Sequence, residues 1–165
     1  MQKTLQGLVV GLSVALGLTT GSPAFAADYL TKFYACHTYE VNVQCGPIGY
    51  SNVVGTIKWL NRTATLGGFV QFVPDTTSDV LNIQAVFDAF KGSTRIESQT
   101  RTVDLVEDQL QFGFTIGDPD LVGGIDRIRI TVVYYTTSRE RIPGDQLNCW
   151  RHTSPTTKSC GWVTG

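Results

Sequence analysis

Apolar and polar residues alternate with a period of two along several stretches of this 165-residue chain. Successive side chains of a β-strand point to opposite faces, so this pattern is typical of a strand with one buried face. We predict such strands within residues 29–43, 53–60, 66–73, 96–106, 109–117 and 125–135. The clearest is 109–117, in which apolar residues take every second position: Leu110, Phe112, Phe114 and Ile116.

The segment Val80–Phe90 fits two kinds of element. As a helix it would begin after Asp79, a good capping residue, and end at Gly92. As a strand it would bury one apolar face, and we favour this interpretation because valine and phenylalanine prefer sheets and the neighbouring segments are predicted strands. The apolar face of that strand comprises Leu81, Ile83, Ala85, Phe87 and Ala89.

Pairs of turn-forming residues separate the predicted strands, and no long amphipathic helices alternate with them. Short strands punctuated in this way are typical of antiparallel sandwiches and barrels. We therefore predict an all-β fold: a single antiparallel β-sandwich with Greek-key or immunoglobulin-like connections, about seven or eight strands and disulfide bonds.

The first 26 residues have the layout of a secretory signal peptide. Lys3 supplies the positive start, an apolar run spans residues 8–18, and small residues at 24–26 fit a cleavage site. The run is too short for a membrane span, and no later run is longer, so we expect no membrane insertion. We expect a secreted protein in which residues 27–165 form one domain.

Four cysteines in an exported chain predict two disulfides. We favour local pairing, Cys149 with Cys160 and Cys36 with Cys45. The second pair requires a turn within residues 37–44, because one extended strand would separate the two by about 30 Å. The alternative joins the N-terminal strand to the C-terminal tail.

Charge restricts the classes of partner. The formal net charge is −1, which argues against nucleic acid. Residues 121–165 are mildly basic, with six basic residues against three acidic ones, so an anionic glycan, a lipid headgroup or an acidic protein are the partners that charge favours. The basic residues of this region are Arg127, Arg129, Arg139, Arg141, Arg151 and Lys158.

Motifs for catalysis or metal binding are weak. The chain has no G-x-S-x-G elbow, and its two histidines are His37 and His152. The acidic stretches 74–79 and 118–120 contain possible calcium ligands, although they fit turns better. We expect no cofactor and no metal, and the sequence favours binding over catalysis.

The tail 148–162 is the strongest candidate for a functional site. Aromatic, basic and hydroxyl side chains gather around two cysteines there, and flat rings with nearby hydrogen-bonding groups suit sugar rings or protein contacts. We predict a secreted, non-catalytic binding module for an extracellular glycan or protein surface. A protein-directed inhibitor or toxin that uses the Cys149–Cys160 loop, and a small secreted hydrolase, are the alternatives. The candidate binding residues are Trp150, Arg151, His152, Lys158 and Trp162.

Overall fold

The computed structural model describes residues 30–36, 51–73, 80–104, 108–151 and 160–162. These residues form nine β-strands, rather than the seven or eight predicted. The strands are β1 (Leu30–Cys36), β2 (Asn52–Trp59), β3 (Ala64–Gln71), β4 (Val80–Lys91), β5 (Thr94–Asp104), β6 (Gln109–Ile116), β7 (Arg127–Thr136), β8 (Arg141–Trp150) and β9 (Cys160–Trp162).

The strands form two antiparallel sheets, which confirms the predicted all-β sandwich. One sheet has four strands in the order β1-β2-β3-β6, and the other has five in the order β5-β4-β7-β8-β9. The chain crosses between the sheets after β3, after β5 and after β6. These crossings make β3 and β6 neighbours in one sheet and β4 and β7 neighbours in the other, so the sheets are interlocked.

Strand β4 confirms the favoured interpretation of Val80–Phe90, with one deviation from strict alternation. Ile83, Ala85, Phe87 and Ala89 are fully buried, as predicted for the apolar face. Leu81 is 38% exposed instead, because the register of β4 against β7 shifts between Val80 and Asn82. A bulge of this kind moves one residue out of the alternating pattern.

Phe87 lies at the centre of the core between the two sheets. Its ring centroid is 5.1 Å from that of Phe112, 5.2 Å from Phe114 and 6.3 Å from Phe33. Phe33, Phe112 and Phe114 belong to the four-stranded sheet, so these tilted and edge-to-face contacts join the two layers. The inward residues of β7, from Ile128 to Tyr134 at every second position, pack into the same core.

The predicted disulfide between Cys149 and Cys160 is confirmed, and the two residues face each other across β8 and β9. Cys36 is also disulfide-bonded, whereas Cys45 lies outside the described residues. The predicted signal peptide also lies outside them. Within the described ranges, no helix is long and apolar enough to cross a membrane.

Candidate functional site

Three neighbouring strands bring an aromatic residue, an arginine and a second aromatic residue into one row. Phe90 of β4 lies opposite Arg127 of β7, which in turn lies opposite Trp150 of β8. The adjacent row along the same strands consists of Ala89, Ile128 and Cys149, all fully buried against the other sheet. Because side chains alternate along a strand, the Phe90–Arg127–Trp150 row lies on the outer face of the five-stranded sheet.

The side chains of this row contact one another. The guanidinium carbon Cζ of Arg127 lies 4.2 Å from the ring centroid of Phe90 and 5.0 Å from that of Trp150. Arg129, two residues further along β7 on the same face, places its Cζ 5.1 Å from the Phe90 centroid. We call Phe90, Arg127, Arg129 and Trp150 the arginine–aromatic cluster.

Exposure differs across the arginine–aromatic cluster. Phe90 is 8% exposed although it lies on the outer face, and both guanidinium groups approach its ring. Trp150, at the end of β8, is 43% exposed. The cluster therefore combines a buried ring, two half-buried arginines and an accessible indole.

The two arginines make few hydrogen bonds. Nη2 of Arg127 donates to the carbonyl of Gly92 at 3.3 Å, and Nε of Arg129 donates to Oδ1 of Asn148 at 3.3 Å. Both distances are long for N–H···O bonds. In the described part of the chain, no carboxylate lies within 4.0 Å of either guanidinium group.

The environment of Arg127 disfavours its charge. Burial lowers the pKa of Arg127, the positive charge of Arg129 lowers it further, and Asp126 opposes the shift. An arginine nevertheless stays protonated at physiological pH. The two like charges on β7 therefore remain side by side.

Arg151, one of the predicted site residues, connects the two sheets. Its Nη1 donates to the carbonyl of Asn61 at 2.6 Å and its Nη2 to that of Thr63 at 3.2 Å, both in the turn between β2 and β3. Its Cζ lies 5.5 Å from the Trp59 ring centroid, and burial lowers its pKa. Both terminal nitrogens of Arg151 are thus used within the chain.

Among the predicted site residues, the side chains of Trp150 and Arg151 are described, and they have different partners. His152 and Lys158 lie outside the described residues, as does His37. For Trp162 only the backbone is described. It pairs with Leu147 of β8, and Leu147 precedes Trp150 by three residues. Trp150 contacts Arg127 of β7, which also contacts Phe90 of β4, so its described partner comes from the sheet and not from the tail.

The acidic stretch 118–120 forms a turn, as its sequence favours. The backbone N–H of Asp120 donates to Oδ1 of Asp118 at 2.8 Å. The other stretch, 74–79, lies outside the described residues. Within the described ranges, no three histidine, cysteine or acidic side chains form a group that could hold a metal ion.

Sequence reasoning did not assign Phe90, Arg127 and Arg129 to the site. The alternation in 125–135 does place both arginines on the polar face of their strand, and the basic character of residues 121–165 includes them. Phe90 carries no such signal, because its neighbour Arg127 is 37 residues away in the sequence. Only the pairing of β4 with β7 brings the two together.

No protein-family profile, curated protein or solved structure matches this chain.

Proposed function

We propose that this protein is a secreted, non-catalytic binding module that attaches to a cell surface, a cell wall or another extracellular polymer through the arginine–aromatic cluster. The supporting observation is Trp150, an exposed indole held at the end of a strand with the Arg127 guanidinium group 5.0 Å from its ring centroid. Tryptophan and arginine dominate the energetics of binding surfaces, and a site on strands is held rigidly.

The chemistry of the cluster supports binding rather than catalysis. Its two arginines and two aromatic rings carry no group that titrates near neutral pH and no nucleophile. The Cys149–Cys160 disulfide also fits an oxidising, extracellular compartment.

The experiment is retention of the purified protein on insoluble polysaccharides and cell-wall material, with released sugar assayed in the same tube. Trp150→Leu should lower retention by roughly tenfold, the effect of about 1.4 kcal/mol of lost binding free energy. The matched control is Phe69→Leu, which removes a half-buried ring from the four-stranded sheet and should leave retention unchanged. Equal retention by both variants would contradict the assignment to Trp150, and release of sugar would contradict the non-catalytic role.

The inhibitor alternative finds no support in the geometry of Arg151. A bait residue must project its side chain towards a protease, whereas the guanidinium group of Arg151 is bonded to two carbonyls of the other sheet. Arg151 therefore gives no reason to prefer this alternative, and the proposal keeps the binding surface on the outer face of the five-stranded sheet.

A further inference from the structure

We infer that the ligand of the arginine–aromatic cluster is an anionic glycan, whose sugar units carry carboxylate or sulfate groups. This inference rests on the proposed binding function and narrows it. It is carried by the arrangement of charge around Arg127 and Arg129 and by the accessible ring of Trp150.

The two guanidinium groups are close enough to act on one ligand. The Cζ atoms of Arg127 and Arg129 lie 4.2 and 5.1 Å from the Phe90 ring centroid. The two Cζ atoms are therefore at most 9.3 Å apart. Two like charges at such a separation repel each other across the half-buried surface. An anion placed between or above them relieves this repulsion.

Each nearby aspartate contacts another group through one oxygen, while the buried Oδ1 of Asp126 has no hydrogen-bond partner. Oδ2 of Asp126 accepts a hydrogen bond from the backbone N–H of Gly92 at 2.8 Å. Asp88 lies opposite Arg129 in the sheet register, but its Oδ1 pairs with Nη1 of Arg95 at 3.6 Å. Neither carboxylate therefore neutralises the Arg127–Arg129 pair at contact distance.

Arg129 retains donors for a ligand. Its Nε bonds to Asn148, and in the described part of the chain neither terminal nitrogen has a hydrogen-bond partner. A guanidinium group presents parallel N–H donors that match the two oxygens of a carboxylate or sulfate. Trp150 supplies a flat ring at the same face, on which the apolar side of a sugar can lie.

The surface favours a glycan over a membrane or a protein. The described residues include four large apolar side chains that are exposed, which is little apolar surface for insertion into lipid: Leu30, Leu81, Val122 and Trp150. The neighbours of the cluster on the outer face are polar, including Asp88, Asn148 and Gln146, whereas protein interfaces have an apolar centre. Amide and carboxylate groups beside a ring suit a hydroxyl-rich ligand.

The test compares three forms of one polymer immobilised on beads: neutral dextran, carboxymethyl dextran and dextran sulfate. We expect retention on one or both of the charged forms, at least tenfold above that on neutral dextran, since a charge-assisted bidentate contact is of that order. Raising NaCl from about 50 mM to about 500 mM should reduce retention, because exposed charges are screened. The carboxymethyl and sulfate arms identify which anionic group the site takes.

A charge-matched pair of variants separates a site from general attraction. Arg129→Gln should lower affinity for the retained polymer by roughly fivefold to tenfold. Arg141→Gln removes the same charge from an exposed residue. Arg141 lies opposite Tyr135, which is about 20 Å from Arg129 along β7 at roughly 3.3 Å per residue. This variant should lower the affinity for the retained polymer less than twofold. Equal losses in the two variants would overturn the assignment to the arginine–aromatic cluster.

The remaining outcomes distinguish the inference from the function on which it rests. Retention on neutral polysaccharides alone, sensitive to Trp150→Leu, would support the binding module and overturn the anionic ligand. Retention only on phosphatidylserine vesicles or on immobilised polyglutamate would overturn the glycan in favour of a membrane or an acidic protein. A lack of retention on all these probes and on cell-wall material would overturn both proposals.

Discussion

Arg127 and Arg151 lie near the same end of the five-stranded sheet and have much in common. Each guanidinium group lies over at least one aromatic side chain, each has a buried Nε without a hydrogen-bond partner, and burial lowers the pKa of each. They differ in where their terminal nitrogens point. Arg151 donates to two carbonyls of the other sheet, whereas Arg127 makes one long bond to Gly92 within its own sheet.

An arginine beside an aromatic ring therefore has no fixed role, because its other contacts differ from one position to the next. Arg151 is used within the chain, where it stabilises the contact between the end of β8 and the turn between β2 and β3. Arg127 lies on the outer face with Arg129 beside it, and the repulsion from Arg129 and the attraction to Asp126 act on its charge in opposite directions. The first arginine is suited to stability, and the second is the one for which we propose a role in binding.

The largest expected effect is on stability, from Arg151→Met. This change keeps the aliphatic part of the side chain and removes two charge-assisted hydrogen bonds, so the free energy of unfolding should fall by about 2 kcal/mol. Urea unfolding monitored by tryptophan fluorescence measures it. Arg151→Lys should recover only part of the loss, because an ammonium group cannot reach both carbonyls in a fixed fork. Full stability of Arg151→Met would show that the contact between the sheets does not depend on this residue.

The same substitution at Arg127 should have a smaller effect on stability and a larger one on binding. Arg127→Met loses cation–π contacts worth about 0.5–1 kcal/mol each, and it also removes the repulsion from Arg129, so the free energy of unfolding should fall by at most about 1 kcal/mol. Its retention on the charged dextran should fall by roughly tenfold, a loss that Arg151→Met does not share. A reversed order of the two variants in both measurements would contradict the division of roles.

The smallest expected effect is that of pH on binding. Burial lowers the pKa of Arg127, but the guanidinium group still stays charged throughout the neutral range. Retention on dextran sulfate should therefore be constant between about pH 5 and pH 9, while retention on carboxymethyl dextran should fall below about pH 4 as its carboxylates are protonated. An increase in retention on dextran sulfate below about pH 6.5 would instead indicate a histidine, such as the predicted site residue His152.

Local pattern was sufficient to predict seven of the nine strands and most of their faces, whereas β8 and β9 were not predicted. Period-two alternation depends only on neighbours in the sequence, so Ile128, Ile130 and Val132 are buried as predicted, and Arg127 and Arg129 lie on the opposite face. The Cys149–Cys160 disulfide was predictable for the same reason, since a short loop separates the two residues. The exposed Leu81 shows the limit of this reasoning, because the bulge that displaces it arises from pairing with a distant strand.

The composition of the site was decided by tertiary structure. Strand register is a long-range property, and it places Phe90 beside Arg127 and Arg127 beside Trp150 across three strands. The sequence identified Trp150 as a candidate from its local neighbourhood, but it could not show that Arg151, the next residue, turns towards the other sheet. Alternation assigns a side chain to a face, whereas only the packing of the two sheets determines what that face meets.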